Sequence, residues 1–178
     1  MSYFKYLAAL AALIIFAGTL PAMALADAGS FDFHGFKLGM TLEEARKAKP
    51  EILVDESKTA NGFVAGYSAY FHGLTLRFTS PKLGSRLFFV QETKNYDTPQ
   101  NPEPIYTYMR LKYGNPDYAG SGMFSVNAFW GSPYNKGKSL NFELTIKGVR
   151  KNFPLVITLK DADLEKKNLA VIKQAMGK

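Results

Sequence analysis

The chain has 178 residues, with 22 basic against 15 acidic side chains for a formal charge of +7, 47% apolar residues and 14% aromatics. It contains no cysteine, which excludes zinc ribbons, thiolate clusters, cysteine nucleophiles and disulfide-stapled mini-domains, and it is too apolar and aromatic for a disordered tail. One ordinary folded domain, or two small half-domains sharing a core, fits this length.

Residues 1–26 read as an address. Lys5 and the amino terminus supply the only positive charges, residues 7–16 are apolar, and the segment closes on Pro21 and Ala24-Leu25-Ala26 ahead of Asp27. This is the plan of a secretory signal peptide cleaved after Ala26. The competing reading is an uncleaved anchor over residues 6–26, long enough for a bilayer core of about 30 Å at roughly 1.5 Å per residue. Gly18, Pro21 and the small-residue triplet favour cleavage. The expected location is the periplasm or the cell exterior, with residues 27–178 forming one α+β domain.

In the mature chain, Thr41 and Glu44 have the spacing of a capping box and open a helix over residues 42–49. Glu43 and Glu44 face the positive end of its dipole, Arg46, Lys47 and Lys49 the negative end, and Pro50 stops it. Leu42, Ala45 and Ala48 form its narrow apolar stripe.

From residue 62 to 96 the period falls to two. Tyr67, Ala69 and Phe71 share one strand face, His72-Gly73 is a two-residue turn, and Leu74, Leu76 and Phe78 return on one face. After a turn over residues 80–85, the run Leu87-Phe88-Phe89-Val90 predicts a central strand covered on both faces.

Asn101 and Pro102 open a second helix with Ile105, Tyr108, Met109 and Tyr113 on its buried side, and Gly114 and Pro116 close it. Alternation over residues 123–130, then at Leu140, Phe142, Leu144 and Ile146, predicts two more strands. A turn around Gly148 leads to another, with Phe153, Leu155, Ile157 and Leu159 on one face. A closing amphipathic helix spans residues 162–175, with Leu164, Val171, Ile172 and Ala175 on one side.

Residues 37–96 and 101–160 thus share one order, helix then three strands. The chain is expected to be an antiparallel sheet with helices packed on one face, built as a tandem duplication of an α-β-β-β unit.

The stretch Phe36-Lys37-Leu38-Gly39-Met40-Thr41-Leu42-Glu43-Glu44-Ala45 resembles the opening of small bacterial cell-envelope domains of the SmpA/OmlA (BamE-like) group, whose wider circle includes beta-lactamase-inhibitor-like proteins with a tandem helix-plus-sheet repeat. Leu111-Lys112-Tyr113-Gly114-Asn115-Pro116, followed by a strand ending in Trp130, resembles the second helix and next strand of exported relatives. The resemblance implies that fold and a habit of binding other envelope proteins. The chain departs from it in having no cysteine to acylate and no disulfide, so no particular partner carries over.

Chemistry has few carriers. His34 and His72 are the only histidines, and neither has a histidine or carboxylate at metal-ligand spacing. Gly120-Ser121-Gly122 is no nucleophile elbow, and no phosphate-binding glycine loop is present. Asp161, Asp163 and Glu165 read as helix-capping acids rather than a cation site. No catalytic residue, metal or cofactor is assigned.

The candidate binding residues are Tyr118, Trp130, Tyr134, Lys136 and Lys138, in or beside glycine-rich loops where aromatics give large contact area at low entropic cost. The alternative for Trp130 and Tyr118 is that they close the edge of the core. The leading expectation is an exported, non-enzymatic binding or assembly protein of a bacterial envelope, engaging a protein through one sheet face and the Trp130 loops. The runner-up is an enzyme with a dispersed site, which needs a pocket grouping His34 or His72 with carboxylates. A third reading is a peripheral binder of anionic lipids or glycans through Arg77, Lys82, Arg86 and the basic segment 147–151. No aromatic-basic pattern of a nucleic-acid binder is present.

Overall fold

A computed structural model describes residues 28–131, 137–146 and 152–177. The address segment, the turn around Gly148 and the basic segment 147–151 lie outside the described residues. No helix among the described residues is long and apolar enough to cross a membrane.

Helix α1 (Leu42–Ala48) starts as its sequence dictates. Thr41 Oγ1 accepts the Glu44 amide at 3.2 Å, and the Glu44 carboxylate accepts the Thr41 amide at 2.7 Å. These bonds from Thr41 hold the Glu44 carboxyl below its ordinary range. Leu42 and Ala45 are buried, whereas Ala48 is exposed, because the helix stops there with Lys49 as its cap. Helix α2 (Pro102–Tyr113) is capped by Asn101, whose side chain accepts the Glu103 amide. Met109 and Tyr113 are buried and Ile105 is packed against the core, but Tyr108 is exposed. Its place on the expected buried stripe is therefore corrected: only one narrow side of the helix meets the sheet.

Four strands follow each of these helices, not the three expected. They are β1 (Leu53–Lys58), β2 (Val64–Phe71), β3 (Leu74–Thr79) and β4 (Leu87–Tyr96), then β5 (Tyr118–Ser121), β6 (Ser125–Gly131), β7 (Lys138–Thr145) and β8 (Phe153–Asp161). Among the described residues they form one antiparallel sheet in the order β1-β2-β3-β4-β8-β7-β6-β5. Two meanders thus meet along β4 and β8, each with its fourth strand at the centre and its first at an edge. The overlooked strands are the edges. β1 (Leu-Val-Asp-Glu-Ser-Lys) is almost wholly exposed and has no apolar alternation, and β5 (Tyr-Ala-Gly-Ser) is four residues long.

One sheet face carries the core. Ala69, Leu74, Leu76, Phe78, Leu87, Val90, Ala128, Trp130, Leu140, Phe142, Leu144, Leu155, Ile157 and Leu159 join Leu42 and Ala45 of α1 and Met109 and Tyr113 of α2 in one cluster, with Phe33, Phe36 and Leu38 of the leader. Burial of a large apolar side chain contributes about 1.5–3 kcal/mol, so this face supplies most of the driving force. A bulge opposite Arg77 and Phe78 shifts the β3–β4 register. It lets both Leu87 and Val90 reach the core face and sends Phe89 to the other side, beside Arg77.

Helix α3 (Ala162–Ala175) follows β8 directly, capped by Asp161. No α3 residue belongs to the main cluster. Its expected stripe of Leu164, Val171, Ile172 and Ala175 is only half-buried, and the buried residue mid-helix is Asn168. The Asn168 amide group accepts the Ser80 amide at 2.8 Å and donates to the Ala65 carbonyl at 3.0 Å. A polar side chain thereby satisfies two backbone groups at the sheet margin.

Candidate binding face

The five candidate residues divide sharply. Trp130 has none of its surface exposed; its indole N–H donates to the Gly114 carbonyl at 2.9 Å and its ring lies edge-on to Tyr113 at 6.4 Å. As a loop recognition residue it is therefore corrected to a core residue that ties β6 to the end of α2. The next residue, Gly131, is also buried. Gly131 has φ +90°, donates its amide to Asp117, and would drive a Cβ to 2.4 Å from the Lys138 carbonyl. Tyr118 is exposed on edge strand β5, its ring 6.4 Å from that of Phe129. Lys138 is exposed at the start of β7, while Tyr134 and Lys136 lie outside the described residues.

The face opposite the core is what sequence reasoning left without residues. The registers align one row across all eight strands: Leu53, Tyr70, Thr75, Gln91, Thr158, Asn141, Phe129 and Tyr118. Short polar side chains occupy the four central strands, and aromatic or aliphatic ones occupy the two outer strands on each side. Leu53, Tyr70 and Tyr118 are exposed. Gln91 donates to Thr158 Oγ1 at 3.2 Å across the β4–β8 junction. The Asn141 side-chain carbonyl is buried with no hydrogen-bond partner among the described residues, a condition that costs about 1–3 kcal/mol. At the Leu53 end the row opens into a cleft of about 380 Å³ lined by Glu51, Leu53, Tyr70, His72 and Thr75. In the next row Arg77 lies over the Phe89 ring, 4.8 Å from its centroid.

A polar cluster on the core side also escaped sequence reasoning. Glu92, buried on β4, accepts Lys94 Nζ at 2.8 Å and contacts His34 Nε2 at 3.2 Å. Burial pushes the Glu92 carboxyl up, but the hydrogen bonds from Lys94 and His34 outweigh it and hold it below its ordinary value. Both histidines occupy the first central position of tight turns, His34-Gly35 and His72-Gly73, with φ of 58° and 44° and a glycine at positive φ behind each. Each lies edge-on to the phenylalanine before it. The His34 contact fastens the leader to the sheet, and a separation of 58 positions between the partners leaves no local signature. His72 stands 4.0 Å from Glu51 at the cleft, which includes neither His34 nor Glu92.

The acids at α3 do not converge. Asp161 caps the helix, Asp163 accepts the Gly137 amide, and Glu165 pairs with Lys160 at 2.7 Å. Among the described residues no group of three or more His, Cys, Asp or Glu side chains is arranged to hold a metal ion. Comparison with family models, with curated proteins and with solved structures gave no match to this chain.

Proposed function

We propose that the protein is an exported, non-enzymatic binding or assembly component of a bacterial envelope, and that it engages a partner protein through the open face of its sheet. The observation that carries this reading is the row from Leu53 to Tyr118, a surface with short polar side chains at its centre and exposed aromatics at its flanks. Aromatic anchors around a polar field with few lysines have the composition of protein interfaces. The SmpA/OmlA-like opening and the signal-peptide plan at residues 1–26 supply the compartment. In the same reading the two meanders are copies of one unit, now α-β-β-β-β. Helices α1 and α2 cover the core face, and α3 lies on the other side at the β3–β4 margin, where Lys160 points away from Leu159 and meets Glu165.

Pull-down from an envelope extract at two salt concentrations tests the reading. A protein retained at high salt and lost on Tyr70→Ala or Phe129→Ala supports it. Retention of lipid or glycan alone, abolished by salt, would turn it to an anionic-polymer binder. Turnover of a small molecule that disappears on His34→Ala would turn it to an enzyme.

A further inference from the structure

We infer that the leader ahead of α1 acts as a maturation lock: once Ala28 is seated in the core, the bond between Ala26 and Asp27 is closed to a signal peptidase, so processing must come before the leader docks. The inference rests on the reading of residues 1–26 as a cleaved signal peptide and adds the order of events. Asp27 alone separates the proposed scissile bond from Ala28. Ala28 is 2% exposed and belongs to the main core cluster. Residues Ala28–Ser30 form a single 3-10 turn that packs against β7. The Ala28 methyl group lies beside Gly131, 3.3 Å from where a Cβ on that glycine would stand.

Two physical requirements of the peptidase are then unmet. It takes its substrate as an extended chain on both sides of the bond, whereas the second to fourth residues after this bond are coiled into the turn. Its active site lies at the bilayer surface, where the apolar segment is anchored, and one residue spans at most about 3.6 Å, too little to hold a folded domain clear of the enzyme. Opening the turn means pulling out more than Ala28. The Phe31 ring lies 4.8 Å from that of Tyr113, whose hydroxyl donates to the Asp32 carbonyl at 3.1 Å, and Phe33 and Phe36, both buried, pair their backbones. Cleavage of a docked leader is therefore limited to rare openings. Gly131 and β7, which hold Ala28, come late in the chain, so the lock cannot form until most of the chain has followed.

The test is cell-free synthesis of the full chain in detergent micelles, with a bacterial signal peptidase added either at the start or after Trp130 emission has become constant. Mass spectrometry identifies the product beginning at Asp27. The comparison chain carries a Gly-Ser-Gly-Ser-Gly-Ser insertion between Asp27 and Ala28, which leaves the signal segment and the bond unchanged. The natural chain is expected to be cut readily when the peptidase is present from the start and about a hundredfold more slowly when it is added late. The insertion chain is expected to be cut at similar rates either way. If the natural chain is cut equally fast at both times, the lock is overturned while the signal-peptide reading stands. If the insertion chain added late is as resistant as the natural one, seating of Ala28 is not the cause and the lock is overturned as well. If neither chain is cut at any time, or the new terminus is not Asp27, the signal-peptide reading falls and the inference with it. Matching Trp130 emission in the two chains shows that the insertion leaves the fold intact.

Discussion

The two faces of the sheet come from the same eight strands, one residue out of phase, and they are built for different ends. On the core side most central positions are buried apolar residues, as at Leu76, Phe78, Phe142 and Leu159, with Glu92 and Lys94 among the polar exceptions. On the other side the row through the same strands presents Thr75, Gln91, Thr158 and Asn141 at its centre and aromatics toward its ends, with Phe89 beside Arg77 in the next row. A sheet that needed only one buried face would tolerate any polar residues on the other. Tyr70 and Tyr118, exposed on outer strands at opposite ends of the row, add nothing to the core, and the proposed partner-binding reading rests on them.

Substitutions on the two faces separate these roles, the core ones having the larger effect on stability. Trp130→Ala removes a fully buried side chain and its bond to Gly114. It is expected to destabilise by about 3–5 kcal/mol in urea unfolding, as large aromatic truncations do. A loss under about 1 kcal/mol together with lost partner binding would restore Trp130 to the surface.

Asn168→Ala comes next, because it strands the Ser80 amide and the Ala65 carbonyl. About 1–3 kcal/mol is expected, read from the same unfolding curves. A negligible change would mean that water replaces both bonds.

His34→Ala is expected to cost about 1 kcal/mol near neutrality, and its more telling effect is on acid stability. The Glu92 carboxyl is held low in the folded chain by Lys94 and His34 against the opposing effect of burial. Its contribution is therefore complete above the unfolded carboxyl value of about 4.3 and is lost as pH falls through the lower folded value. Removing His34 takes away one of the bonds that depress it, so the acid-unfolding midpoint moves to higher pH, measured by intrinsic fluorescence. An unmoved midpoint would show the contact to be incidental. Tyr70→Ser, on the open face, is expected to alter stability by no more than about 0.5 kcal/mol while abolishing partner retention. This pairing of a large functional and a small structural effect is the sharpest form of the contrast.

The same contrast decides how much could be read in advance. Positions facing the core declare themselves by period: the β2–β3 hairpin followed from Phe71-His72-Gly73-Leu74, and β7 and β8 from their strict alternation. The α1 capping box was equally legible, since all its bonds are local. Edge strands β1 and β5 were missed because an exposed edge needs no apolar pattern. Trp130 was misplaced by the Gly131-Ser132-Pro133 that follows it, although its phase with Val126 and Ala128 put it on the inward side. The open face and the Glu92 cluster depend on pairings between distant segments, which strand phase alone does not supply until the order β4–β8 is known.

That central pairing also governs assembly of the molecule. β4 and β8 are matched over eight residue pairs, Phe89 with Lys160 through Tyr96 with Phe153, so the last strand of the chain seals the middle of the sheet. Until it arrives, Leu87-Phe88-Phe89-Val90 sits on a bare strand edge, the kind that invites pairing with other chains. Closure over so long a loop is slow. A nascent chain therefore spends its riskiest interval with the N-terminal meander complete and the β4 edge unguarded.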